Sequence, residues 1–130
     1  MTKKGSKPRF VVDQNIYDQE FVEKYGSKRA RFYSVKDVTG NVSSEDPEIL
    51  EKSAVSGKHI ITKNAKHFER LLKSKPQYKK IGIVGIGIKS SNFINKFGEV
   101  LDKLPYHEDY EGKFVKLGNK LIIKNRAATS

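Results

Sequence analysis

The run Ile81-Gly82-Ile83-Val84-Gly85-Ile86-Gly87-Ile88 contains eight residues and no polar side chain. It is far too short to cross a bilayer, which takes about twenty apolar residues in a helix. A strand with one wet face would alternate apolar and polar residues, and this run does not. Such a segment is buried on both faces, as in a parallel sheet covered by helices. Its glycines predict close packing against a helix.

The rest of the chain fits that demand. Arg9-Phe10-Val11-Val12-Asp13 reads as a short buried strand ending in a carboxylate, and Ile16, Phe21, Val22 and Tyr25 then fall near helical spacing before Gly26. Arg31 to Val35 reads as a second strand, and Asp37 to Glu45 as a polar loop. Asp46 is a good N-cap, Pro47 suits the first helical position, and Ile49, Leu50 and Ala54 form an apolar face that Gly57 closes. His59 to Thr62 is a third strand. Asn64 is positioned to cap a helix carrying Phe68, Leu71 and Leu72, with Pro76 beyond it. After the glycine-rich strand, Phe93 to Leu104 form a last helix before Pro105. Lys113–Leu117 and Lys120–Lys124 flank Gly118-Asn119, a hairpin signal.

The expected fold is therefore α/β: a mainly parallel central sheet between helical layers, closed by a C-terminal β-hairpin. Residues 1–8 read as a flexible basic arm, 9–125 as one domain and 126–130 as a loose tail. The chain has no cysteine, which excludes disulfides, thiolate metal sites and cysteine nucleophiles. The absence of an apolar leader or long apolar run gives the expectation of a cytoplasmic protein without membrane contact. Twenty-six basic residues against 15 acidic ones leave a formal charge of +11, which points to a polyanionic partner, nucleic acid above all.

In parallel sheets function gathers at the carboxyl ends of the strands. That rule marks Asp13, the segment before Asp46, and Asn64 to His67 as one neighbourhood. Three stretches recur there in order: Val11-Val12-Asp13, Asp46-Pro47-Glu48-Ile49-Leu50, and Thr62-Lys63-Asn64-Ala65-Lys66-His67-Phe68. Together, over roughly Phe10 to Ile88, they resemble the PIN-like nucleases, in particular short PIN-like toxin-type proteins and Mut7-C-like domains.

The resemblance implies a three-layer PIN-like domain and a divalent-metal-dependent endoribonuclease, of the kind that serves as the toxin of a toxin–antitoxin pair, with RNA as its substrate and an acidic antitoxin-like protein as a partner. It implies Mg²⁺ or Mn²⁺ held by Asp13 and Asp46, with Asn64 and His67 completing the catalytic set and the Thr62 hydroxyl holding the loop or a water. Relatives often carry Asp where this chain has Asn64 and His67. The third carboxylate is left open among Asp37, Glu45 and Glu48. Each residue also has a plainer role: Asp13 in a strand-end turn, Asp46 and Asn64 as caps, His67 as a surface histidine. His59 and His107 have no partner pattern, and Pro105 to Glu111 reads as an exposed loop. Gly85 to Ser90 only faintly resembles a phosphate loop, because Ile88 interrupts Gly-Lys-Ser.

Lys63, Lys66 and Arg70 are the foremost RNA-binding candidates, near one helix face. Lys73, Lys75, Lys28, Arg29 and Arg31 are secondary ones. Two alternatives stand beside the ribonuclease: a catalytically reduced PIN-like RNA-binding module, and a protein-interaction partner within an RNA-processing complex. A homodimer is left open.

Overall fold

A computed structural model describes residues 6–13, 18–26, 28–40, 45–75, 78, 80–87, 93–118 and 120–125. The start of the expected arm, Ile16, residues 41–44, Pro76, residues 88–90, Asn119 and the 126–130 tail lie outside the described residues.

The elements follow β1 (Arg9–Val12), α1 (Asp18–Tyr25), β2 (Arg31–Ser34), α2 (Val35–Thr39), α3 (Asp46–Val55), β3 (His59–Thr62), α4 (Ala65–Lys73), β4 (Ile83–Ile86), α5 (Phe93–Lys103), β5 (Lys113–Leu117) and β6 (Leu121–Asn125). Six strands form one sheet in the order β2-β1-β3-β4-β5-β6. All neighbours pair parallel except β5 with β6, the antiparallel hairpin expected at the end. No helix among the described residues is long and apolar enough to cross a membrane.

Alternate strand residues serve two cores, as the pleat requires. Phe10, Val12, Ile61, Val84 and Val115 pack with Phe21, Tyr25, Phe97 and Leu101, on the face covered by α1 and α5. Val11, Ile60, Ile83 and Phe114 pack with Val35, Ile49, Leu50, Phe68 and Leu72, on the face covered by α2, α3 and α4. This division explains the unbroken apolar run: β4 is buried at every position. Gly85 meets the expectation of close packing, since a Cβ there would lie 2.6 Å from the Ala65 Cβ on α4.

Two parts differ from expectation. Val35 to Thr39 is helical rather than the end of a strand and the start of a loop. Ser34 and Asp37 form a capping box, the Ser34 hydroxyl accepting from the Asp37 N–H and the Asp37 carboxylate from the Ser34 N–H. Residues His107–Tyr110 form a 3-10 turn with His107 and Tyr110 buried, so this stretch is not the exposed loop its acidic residues imply. Its backbone anchors the start of the chain as well, the His107 N–H donating to the Ser6 carbonyl at 2.7 Å.

Candidate functional site

Strand order sets the geography of the site. From β1 the chain moves outward to β2, then returns across the sheet to β3, so the connections diverge between β1 and β3. At such a switch point the crevice outside the strand carboxyl ends stays open to ligands. Asp13 follows β1 there, and Thr62 ends β3 beside it. The Asp13 N–H donates to the Ile61 carbonyl at 2.9 Å, locking the two ends together.

The side chains are joined as well. The Thr62 hydroxyl donates to Asp13 Oδ2 at 2.6 Å and accepts from the Asn64 N–H at 2.9 Å. Asp13 is 5% exposed and Thr62 fully buried. Among the described residues no cation pairs with the Asp13 carboxylate. Among the described residues the side-chain partner of this nearly buried carboxylate is one neutral hydroxyl.

Asp46 has a different task from the one its sequence position predicts. Glu45 occupies the N-cap of α3, without a side-chain cap bond, and Asp46 is the first helical residue. Its carboxylate turns to α4 instead, where His67 Nδ1 donates to Oδ2 at 2.5 Å. The carboxylate fixes the Nδ1–H tautomer, leaving Nε2 as the nitrogen for other chemistry. Asn64 holds the N-cap position of α4 but makes no side-chain cap bond; its carbonyl accepts from the His67 and Phe68 N–H groups. Both carboxylates are therefore bonded to one short segment: Asp13 to Thr62, Asp46 to His67.

Of the residues considered for a third carboxylate, Asp37 is engaged in its capping box, Glu45 is exposed and Glu48 is half-buried. Among the described residues, no three His, Asp or Glu side chains are grouped to hold a metal ion. The donor set suits a hard ion bound by one or two carboxylates with water completing the shell, as Mg²⁺ commonly is, rather than a closed protein cage.

The basic residues separate. Lys63 and Lys66 line a groove of about 470 Å³ with Asn64, Glu69, Lys116 and Lys124; Arg70, although exposed on α4, is not among its walls. Lys63 precedes the helix rather than sharing its face. Lys116 and Lys124 come from the hairpin, where Phe114 opposes Lys124 and Lys116 opposes Ile122. Opposed residues share a sheet face, so Lys116 and Lys124 stand together beside α4, the Lys124 ammonium lying 5.2 Å from the centre of the Phe114 ring. The hairpin signal was legible in the sequence, but the face it would present was not.

His59 and His107, given no role by the sequence, are partners at the opposite end of the sheet. Their rings stack with centroids 4.1 Å apart. His59 Nδ1 accepts from the Gly82 N–H at 2.8 Å, which leaves its Nε2–H to donate to the His107 carbonyl at 2.8 Å. Burial first, and then the neighbouring His107, push the His59 pKa down to about 3. Burial and next Arg9 lower that of His107.

Fold and site thus define an α/β protein with a carboxylate-bearing switch point beside a lysine-lined groove. Comparison of the chain with protein-family models, with curated proteins and with solved structures finds no match.

Proposed function

We propose that the chain is a divalent-metal-dependent endoribonuclease of PIN-like type. The observation that carries this reading is the Asp13 carboxylate, buried at the switch point with the Thr62 hydroxyl as its support and no cationic partner among the described residues. Asp13 and Asp46 would hold Mg²⁺ or Mn²⁺ through carboxylate oxygens. When bound, such an ion neutralises charge on a phosphodiester and lowers the pKa of water. Thr62 fixes the Asp13 carboxylate in one orientation, and its hold on the Asn64 N–H sets the turn that aims Asn64 and His67. His67, oriented by Asp46, is suited to accept or return a proton at Nε2. The groove with Lys63, Lys66, Lys116 and Lys124 provides phosphate contacts for a single strand.

The test is cleavage of single-stranded RNA with Mn²⁺ or Mg²⁺, comparing wild type with Asp13→Asn and His67→Ala. The expected result is chelator-sensitive cleavage, abolished by Asp13→Asn and reduced by His67→Ala. Equal cleavage by wild type and Asp13→Asn would refute the assignment.

One observation favours a second reading, an RNA-binding module without catalysis. The engagement of Asp46 by His67, in a site without a third grouped acid among the described residues, is what a reduced metal centre would retain. It predicts RNA binding indifferent to chelator, with no cleavage in any metal. A toxin role with an acidic antitoxin-like partner would be consistent with the +11 charge. Co-purification of an acidic protein that suppresses cleavage is its test.

A further inference from the structure

A second concave site lies at the other end of the sheet. Arg9 begins β1, His59 begins β3, Ile81 precedes β4 and Glu111 precedes β5, and all four line one cavity of about 330 Å³. The cavity is therefore at the strand amino ends, away from Asp13 and Thr62. Its floor is rigid. The His59 and His107 rings stack there, and the Arg9 N–H donates to His107 Nδ1 at 3.1 Å.

Its walls carry Arg9, Lys58 and Lys80, and none of these forms an ion pair with a described residue. Among the described residues Glu111 is the one carboxylate on the wall. The Arg9 guanidinium reaches the Gly57 carbonyl at 3.4 Å, and the Lys58 ammonium lies 4.4 Å from the centre of the Tyr33 ring. Burial, and next the Arg9 charge, lower the Lys58 pKa. Two half-buried cations thus line one cavity, and an anion between them relieves the cost of keeping both there. The remaining wall is apolar and aromatic, from Ala54, Ile81 and Tyr78. Its size falls within the range of small-molecule sites.

We propose that this cavity binds a phosphorylated small molecule of nucleotide size, its phosphate on Arg9, Lys58 and Lys80 and its apolar body against Ala54, Ile81 and Tyr78. A guanidinium supplies paired donors matched to phosphate oxygens, and the ammonium groups add charge. The site is separate from the proposed nuclease centre and does not depend on it.

The full chain is titrated with AMP, adenosine and inorganic phosphate at constant ionic strength, followed by amide NMR. AMP is expected to shift the amides of Gly57, Lys58, His59 and Glu111. Inorganic phosphate should shift the same amides more weakly, and adenosine should leave them unmoved. The Arg9→Gln/Lys58→Gln double variant should weaken AMP binding about ten-fold or more, with its spectrum outside the cavity unchanged. Lys80→Gln, at an exposed position, should weaken it less while leaving the fold intact. A 5′-phosphorylated oligonucleotide serves as the competing source of the same group: displacement of AMP by it assigns the site to an RNA end, and lack of displacement assigns it to a free nucleotide. AMP shifts confined to the amides of Lys63 and Lys66, binding of adenosine equal to AMP, or undiminished binding by the double variant and Lys80→Gln would each overturn the proposal.

Discussion

Thr62 Oγ1 stands 2.6 Å from Asp13 Oδ2, and through this hydrogen bond the end of β3 supports the carboxylate that closes β1. The same oxygen accepts the Asn64 N–H, so one buried hydroxyl joins two strands and sets the entry of α4. Thr62→Val is close in shape and deletes both bonds. It leaves a nearly buried carboxylate and a backbone donor without their partner, a loss of about 1–3 kcal/mol. Urea unfolding should show this loss for Thr62→Val and a much smaller one for Thr62→Ser. Equal stability of all three proteins would deny the hydroxyl its structural role.

Divalent ions should raise the melting temperature of the wild type, since a ligand bound to the folded state alone stabilises it. Asp13→Asn removes the buried charge and should abolish the Mn²⁺-dependent rise. A rise of equal size in the variant would place the bound ion elsewhere.

Gly85 admits α4 to the sheet. A methyl group there would lie 2.6 Å from the Ala65 Cβ, well inside contact distance. Gly85→Ala should therefore destabilise by about 1–3 kcal/mol through overpacking. Ala65→Gly opens the missing space and should recover part of the loss, so a double-mutant cycle in denaturant would give a coupling energy clearly different from zero.

Acid should weaken the fold before most carboxylates titrate. His59 and His107 have folded pKa values below the unfolded value near 6.5, that of His59 at about 3, because the buried pair must stay neutral. Below pH 6.5 the unfolded chain binds protons that the folded chain refuses. Stability is then complete above that pH and falls as pH drops towards the folded pKa values, by about 1.4 kcal/mol per pH unit from His59, with His107 acting in the same direction. Denaturant midpoints measured from pH 7.5 to 5 should decline accordingly. A flat profile would contradict the buried neutral pair.

RNA affinity should fall steeply with salt, as phosphate contacts release counterions. Lys116→Gln and Lys124→Gln should each weaken binding and reduce the salt slope by about one. Arg70→Gln, outside the groove, should do less. An Arg70 effect equal to that of the hairpin lysines would shift the RNA track onto the outer face of α4.

Much of the architecture was legible because burial leaves a local imprint. The run from Ile81, the alternation of strand and helix patterns, and Gly57 after α3 each follow from rules that act within a few residues; Gly57 does take the left-handed conformation, at φ 68°. The capping box Ser34-x-x-Asp37 is equally local, but its segment reads as a strand end and a loop, and the helix α2 was missed.

The sequence by itself determined that this chain builds a buried parallel sheet, ends in a hairpin, carries an acid after the first strand and bears a large positive charge. Those properties are set by residue type and short-range spacing. Tertiary structure alone decided that Asp46 engages His67 rather than capping its own helix, that His59 stacks on His107, and that Lys116 and Lys124 face the α4 groove. Each pairing joins residues far apart in the chain, and their distance is fixed by strand order and helix packing, which no local pattern encodes.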